Sequence, residues 1–247
     1  MREARLGRVW RARAADRTPR GVALLLPEGA LRGSARPSAL ALAGPRPYAR
    51  RLVRAARDEG LVAHVVHYRH RGWNGTAADL AVDAAWAVRE VVRRYGDVPV
   101  CLVGQGMGGR AALRAAGHPA VCAVLALGPW LPERQAAFDP DPVRQLVGRQ
   151  VLIVHGTNDT RAEPAHSYRF AERAKSVNPG VCRFEVHADG HRMRQYRDEV
   201  LALAADFLLG AVFGRDFSRP VADALAAPPP LGLRMPLAAG FGRTLGR

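Results

Sequence analysis

The chain is almost without lysine. Lys175 is the only one among 37 Lys and Arg, and 22 Asp and Glu leave a formal net charge of +15 that arginine carries. Such a basic balance suits nucleic acid or a membrane surface. The arginines, however, are spread along the chain in no dense block, and no zinc-finger spacing or aromatic RNA-binding signature accompanies them. The charge reads as a solvated surface, with neither nucleic acid nor membrane expected as a partner. A small anionic substrate remains compatible with it. Long apolar runs are also missing: none reaches the roughly 18–20 residues of a membrane span. Residues 1–20 are arginine-rich and lack the apolar stretch of a secretory signal, so a cytoplasmic location is the expectation. Cysteine is scarce. Cys101, Cys122 and Cys182 are odd in number and widely spaced, which argues against a disulfide framework and a zinc site. The sequence does not indicate an oligomeric state.

What is present is a regular alternation. Apolar runs at Val22–Leu26, Leu61–Val66, Pro99–Val103, Val121–Leu127, Gln150–Val154 and Val181–Val186 read as buried strands. Between them lie helical patterns over residues 48–59, from Thr76 as cap to Tyr95, and over 107–116, 164–176 and 193–209. Residues 27–47, rich in Gly, Pro and Ser, read as a long loop. Alternating strands and helices predict an α/β fold: a doubly wound, mostly parallel sheet flanked by helices, with ligands at the carboxyl ends of the strands. The length of 247 residues suits one such unit, taken as 1–213. Residues 214–247, with "PPP" and little periodicity, read as a loosely attached arm. The stretch from Gly128 to Gly148 is short, so any lid is minimal.

Three of the predicted strands end in marked loops. After Val103 comes "GQGMGG", after Val154 "HGTNDTRAEP", and after Val186 "HADGHRM". The first is a strand–turn–helix elbow. In the motif G-x-S-x-G its middle residue is a nucleophilic serine; here it is Gly106. The order elbow, Asp159, His191 is the order of elbow, acid and base in α/β-hydrolases. With "RGWNG" and "LGPWLP" added, the chain resembles the α/β-hydrolase superfamily over residues 21–210, and most of all small bacterial members with little or no lid. That resemblance implies roles. Asp159 and His191 take the places of triad acid and base, and Gly106 the vacant place of the nucleophile. Met107 would give one oxyanion N–H, and the loop "PEGA" a second near Gly29 or Ala30. Gln105 departs from a usual histidine. Glu28 is unusual, since a carboxylate beside an oxyanion hole opposes developing negative charge; it faces solvent or serves as a second acid or base in the pocket. Trp73 and Trp130 either line the pocket or pack locally.

Glycine has neither hydroxyl nor thiol, so an acyl-enzyme at position 106 is excluded. A His191–Asp159 dyad still permits general acid–base chemistry on a small carbonyl-bearing metabolite of the kind met in biosynthesis. Elimination, isomerisation, cyclisation or water-mediated hydrolysis all qualify. The alternatives are a ligand-binding pseudo-hydrolase, an introduced Ser-to-Gly knockout, and an interaction protein using its basic surface. Two neighbouring departures, Gln105 and Gly106, favour divergence over a knockout. No cofactor is expected: there is no P-loop, and the partial G-x-G-x-x-G match of Gly104, Gly106 and Gly109 lacks an acidic residue at the end of the next strand. No metal is expected. His64, His67 and His70 alternate without a carboxylate cluster, and His155 reads as a structural hydrogen-bonding residue.

Overall fold

The computed structural model describes residues 3–12, 18–132 and 141–243. Among them, eight strands form one sheet in the order β1-β3-β2-β4-β5-β6-β7-β8. They are β1 (Arg5–Trp10), β2 (Gly21–Leu26), β3 (Leu61–His67), β4 (Val100–Gln105), β5 (Val121–Leu127), β6 (Gln150–Gly156), β7 (Val181–Val186) and β8 (Met235–Pro236). Only β1 runs antiparallel, against β3; every other pairing is parallel.

The strand residues are apolar on both faces because both faces are covered. Side chains alternate across the pleat. Val22, Leu24 and Leu26 of β2 therefore join one core, and Ala23 and Leu25 the other. Helices α3 (Asp79–Tyr95), α4 (Met107–Ala115) and α5 (Pro164–Lys175) cover the first face. Helices α2 (Arg46–Ala55), α6 (Arg197–Phe213) and α7 (Arg219–Ala226) cover the second. Each fully buried leucine contributes roughly 1.5–3 kcal/mol, so a sheet packed on two sides is a stiff frame for the loops at its carboxyl edge.

The structure corrects three expectations and adds one strand. Residues 27–47 contain a short helix, α1 (Ala39–Ala43), whose N-cap Ser38 accepts from the Ala41 N–H at 3.2 Å. Thr76 does not cap α3; it lies in a turn of 3₁₀-helix, and α3 starts three residues later after Ala78 at φ +46°. The arginine-rich amino-terminal segment supplies β1, with the Arg8 guanidinium 4.0 Å from the Trp10 ring. The segment read as a loose arm is docked as far as residue 243. Arg183 Nη1 donates to the Leu233 carbonyl at 2.9 Å, Lys175 Nζ to that of Leu225 at 2.7 Å, and β8 pairs with β7. Those two cations each take a backbone carbonyl of this segment, while Val221, Ala224, Leu233 and Leu237 are buried. Part of the β5–β6 connection, where a minimal lid was expected, lies outside the described residues.

Candidate active site

The elbow sits between β4 and α4. A Cβ on Gly104 would collide with the Gly108 carbonyl, so only glycine lets strand and helix approach this closely. Gly106 follows at φ +52°, ψ −117°, a strained conformation for any L side chain. Its N–H donates to the Leu127 carbonyl at 3.0 Å, and its own carbonyl accepts from Trp130 N–H at 3.1 Å. The backbone thus holds the sharp turn with no side chain at its tip.

Asp159 and His191 come from the loops after β6 and β7. His191 Nδ1 donates to Asp159 Oδ2 at 2.7 Å. Asp159 Oδ1 also accepts from the backbone N–H groups of Arg161 (2.8 Å) and Ala162 (3.0 Å), and Oδ2 from His155 Nε2 at 3.2 Å. Burial opposes ionisation of Asp159, but the bonds from His155, Ala162, His191 and Arg161 outweigh it and hold the carboxyl well below its ordinary range. His155 is fully buried, with its Nε2 facing two acceptors, Asp159 and the Ala162 carbonyl at 2.9 Å. That nitrogen must carry the proton, which makes His155 a brace for the acid.

The third member of the row is Glu28. It enters the pocket, and its Oε1 stands 3.2 Å from His191 Nε2. A Cβ placed on Gly106 would lie 3.1 Å from Glu28 Cγ and 3.4 Å from His191 Nε2. The glutamate therefore occupies the space beside the bare elbow. Arg161 Nη2 reaches the same Glu28 oxygen at 3.1 Å. The His191 hydrogen bond, opposed by burial and aided by the charges of His191, Arg161 and Arg192, keeps Glu28 below its ordinary 4.5. Burial by itself lowers the pKa of His191. The hydrogen bonds and charges of Glu28 and Asp159 outweigh it, and the ring is raised above 6.5. Sequence reasoning left the placement of Glu28 open because nothing in "PEGA" tells which way its second residue points.

A second support was missed. Asp189, buried in the loop before His191, accepts from the N–H groups of Gly190 (2.9 Å), Arg194 (3.1 Å), Gln195 (2.8 Å) and Tyr196 (3.1 Å). It winds the chain around itself and fixes where His191 stands. The signal available was an aspartate followed at short range by the first turn of a helix, a pattern that favours side chain-to-backbone bonds.

Glu28, Gly29, Ala30, Gln105, Gly106 and His191 line a cavity of about 740 Å³. Its far wall comes from residues 36–48, including α1. Gln105 is hydrogen-bonded to the buried Tyr48 hydroxyl, whose ionisation burial strongly disfavours. Met107 turns its side chain into the core, and its N–H heads α4. Two expected site residues lie elsewhere. Trp73 is buried in the core beneath the Arg110 guanidinium, 4.0 Å from its ring, because residues 71–74 turn inward on hydrogen bonds to 30–35. Trp130 borders a separate, smaller hollow shared with Asp159 and Arg161. Ala30 lines the cavity, but its N–H donates to the Arg71 carbonyl at 2.8 Å and is not available to an oxyanion. Among the described residues no three His, Cys, Asp or Glu side chains are gathered to hold a metal ion. His64 bonds the Gly7 carbonyl and Tyr95 hydroxyl, and His70 the Ser34 carbonyl.

No protein-family model matches the chain, and no curated protein matches it in sequence. Solved structures do match in shape. An esterase from Pyrococcus furiosus superposes with a TM-score of 0.58 at 17% identity, covering 78% of this chain and 82% of that one. An α/β serine hydrolase without a lid, from Xanthomonas campestris, gives 0.56 at 15%, covering 81% and 86%. A Butyrivibrio proteoclasticus protein solved with ferulic acid bound gives 0.57 at 14%, covering 85% and 95%. At these identities the likeness is one of fold, and the fold is that of the α/β-hydrolases.

Proposed function

We propose that this chain is a serine-free acid–base enzyme acting on a small carbonyl-bearing substrate, with Glu28, His191 and Asp159 as one proton-carrying row. The observation that supports it is the 3.2 Å contact of Glu28 Oε1 with His191 Nε2, on the side of the ring that faces the elbow. Carboxylate oxygens only accept, and both ring nitrogens face one. The row therefore holds an imidazolium between two carboxylates, or it keeps the extra proton on Glu28. An imidazolium donates before it can accept. Glu28 is then the base and His191 the acid.

A substrate with a C–H beside its carbonyl fits this division. Glu28 takes the proton, the C–H electron pair becomes the new C=C bond, and the carbonyl oxygen takes the Nε2 proton. The product is an enol. Reprotonation at another carbon gives an isomer, and departure of a group from the β-carbon gives elimination. With water in place of the carbon acid, the same pair supports hydrolysis without an acyl-enzyme. Positioned acid–base groups supply about 10²–10⁴-fold in rate. The N–H groups of Met107 and Gly29 are the donors left for developing charge on oxygen.

A binding module without turnover is the second reading, favoured by the committed Ala30 amide and by the occupied ring nitrogens. An introduced knockout is disfavoured, because a serine Cβ 3.1 Å from Glu28 Cγ would be crowded, whereas glycine and glutamate fit. The test is proton exchange. The protein is incubated in D₂O with a panel of 2-oxo and 3-oxo carboxylates, and deuterium entry beside the carbonyl is followed by proton NMR. Exchange with at least one compound, lost in His191→Asn and Glu28→Gln, is expected. A panel that binds but never exchanges overturns the enzyme reading in favour of the module.

A further inference from the structure

Six arginines line this larger cavity: Arg36, Arg71, Arg161, Arg192, Arg194 and Arg197. Among the described residues the only carboxylate lining it is Glu28, already in contact with His191 and Arg161. Several arginines elsewhere are matched: Arg69 with Asp83, Arg110 with Asp141, Arg183 with Glu185, Arg93 and Arg94 with Glu90. Around the cavity, Arg36, Arg71, Arg192, Arg194 and Arg197 have no carboxylate partner among the described residues. These arginines come from three separate loops and from the start of α6, so their convergence is made by the fold, not by one basic run.

Like charges held together repel, and an anion offsets that repulsion. Arginine also offers a planar fork that meets an oxyanion through two parallel N–H bonds. The arrangement is concave, and Glu28 and His191 of the proposed row line it as well. A small molecule bearing several anionic groups can lie inside it, whereas a polymer would meet only the rim.

We infer that the cavity takes a small organic polyanion, with two or more carboxylate or phosphate groups held by the arginine ring and its reacting carbon directed at Glu28 and His191. The inference rests on reading this cavity as the substrate site, and names the class of substrate that the acid–base row receives. The reading also gives the segment before α1 a purpose: it brings Arg36 to the cavity that Arg192 and Arg194 also line.

The experiment is calorimetric titration of the full chain at constant ionic strength, with citrate and pyrophosphate as probes of the two oxyanion types and chloride as background. One-to-one binding of at least one probe is expected. Arg36→Gln, Arg192→Gln and Arg194→Gln should each weaken it roughly two- to fivefold, the range of single partly exposed ion pairs. Arg89→Gln, an exposed arginine on α3 away from the cavity, should leave it unchanged. Citrate binding alone assigns a polycarboxylate, and pyrophosphate binding alone a phosphate ester. No saturable binding, equal weakening by Arg89→Gln, or preference for heparin over both probes overturns the inference. His191→Asn separates it from the catalytic reading: binding should persist within about twofold where proton exchange is lost. Exchange without anion binding sinks this inference alone, and binding without exchange sinks the other alone.

Discussion

Installing a serine at the elbow should fail alone and succeed with a second change. Gly106 sits at φ +52°, ψ −117°, where a side chain costs about 1–3 kcal/mol. For a chain of this length each kcal/mol shifts Tm by about 2–4 °C, so Gly106→Ala and Gly106→Ser should both melt roughly 2–12 °C lower. The Cβ then stands 3.4 Å from His191 Nε2, as a nucleophile requires, but also 3.1 Å from Glu28 Cγ. Glu28 must yield, or the hydroxyl finds Nε2 already taken.

Gly106→Ser with Glu28→Ala removes that competitor. Loss of serine from a hydrolytic triad costs about 10⁶-fold in kcat. One absent oxyanion donor, as at Ala30, returns about 10²–10³ of what serine would restore. The double variant should therefore hydrolyse p-nitrophenyl acetate about 10³–10⁴-fold faster than the glycine chain, with a burst of nitrophenolate. The single serine variant should fall at least tenfold short of the double. A folded double variant without burst or esterase rate refutes the alignment of elbow and imidazole. Equal activity of single and double variants refutes the claim that Glu28 holds the nucleophile's space.

Three further outcomes follow from the geometry. In an NMR titration, the His191 ring should titrate above 6.5, and Glu28→Gln should bring it down; a ring that titrates below 6.5, or is indifferent to Glu28, breaks the proposed row. The sign for stability is fixed by the same shifts. The raised His191 contributes fully below its unfolded value of about 6.5 and loses that contribution as pH rises through its folded value. The depressed Glu28 contributes fully above about 4.5 and loses it as pH falls through its folded value. The stability gap between wild type and Glu28→Gln should thus be widest between about pH 4.5 and 6.5, measured by urea unfolding. Asp189→Ala strands four backbone N–H groups, and at about 2–3 kcal/mol it should lower Tm by roughly 4–12 °C while displacing His191; an unchanged Tm would show that the loop is held by other contacts.

The parallel sheet was legible because burial on both faces leaves continuous apolar runs: Val121–Leu127 and Val181–Val186 are strands with the bounds read from the letters. The edges were not. In β1 the apolar residues share the strand with arginines, since only one side packs, and in β8 the pairing spans two residues. The carboxyl-terminal segment hid its docking because it is held through its carbonyls by Arg183 and Lys175, and a carbonyl leaves no mark on a sequence. Asp159 and His191 could be placed from motif order, because each follows a strand whose end fixes it. The direction of Glu28, the inward turn of Trp73 and the use of the Ala30 amide depend on contacts between distant loops.

On the proposed reading those contacts carry the chemistry. In a serine hydrolase the histidine lies between one carboxylate and one neutral hydroxyl, and it remains a base because it can take the hydroxyl proton. Here a second carboxylate stands on the hydroxyl's side of the ring. The ring gains a second stabilising charge, its proton is held, and its first act toward a ligand becomes donation. Gly106 and Glu28 fit each other: the glycine leaves the space open and the glutamate stands beside it, and on the proposed reading this pairing inverts the proton traffic. The arginines around the mouth add to this. On the proposed reading a polyanion in the cavity would bring negative charge toward the row and further favour the protonated imidazole, so that the ligand itself would arm His191 as an acid.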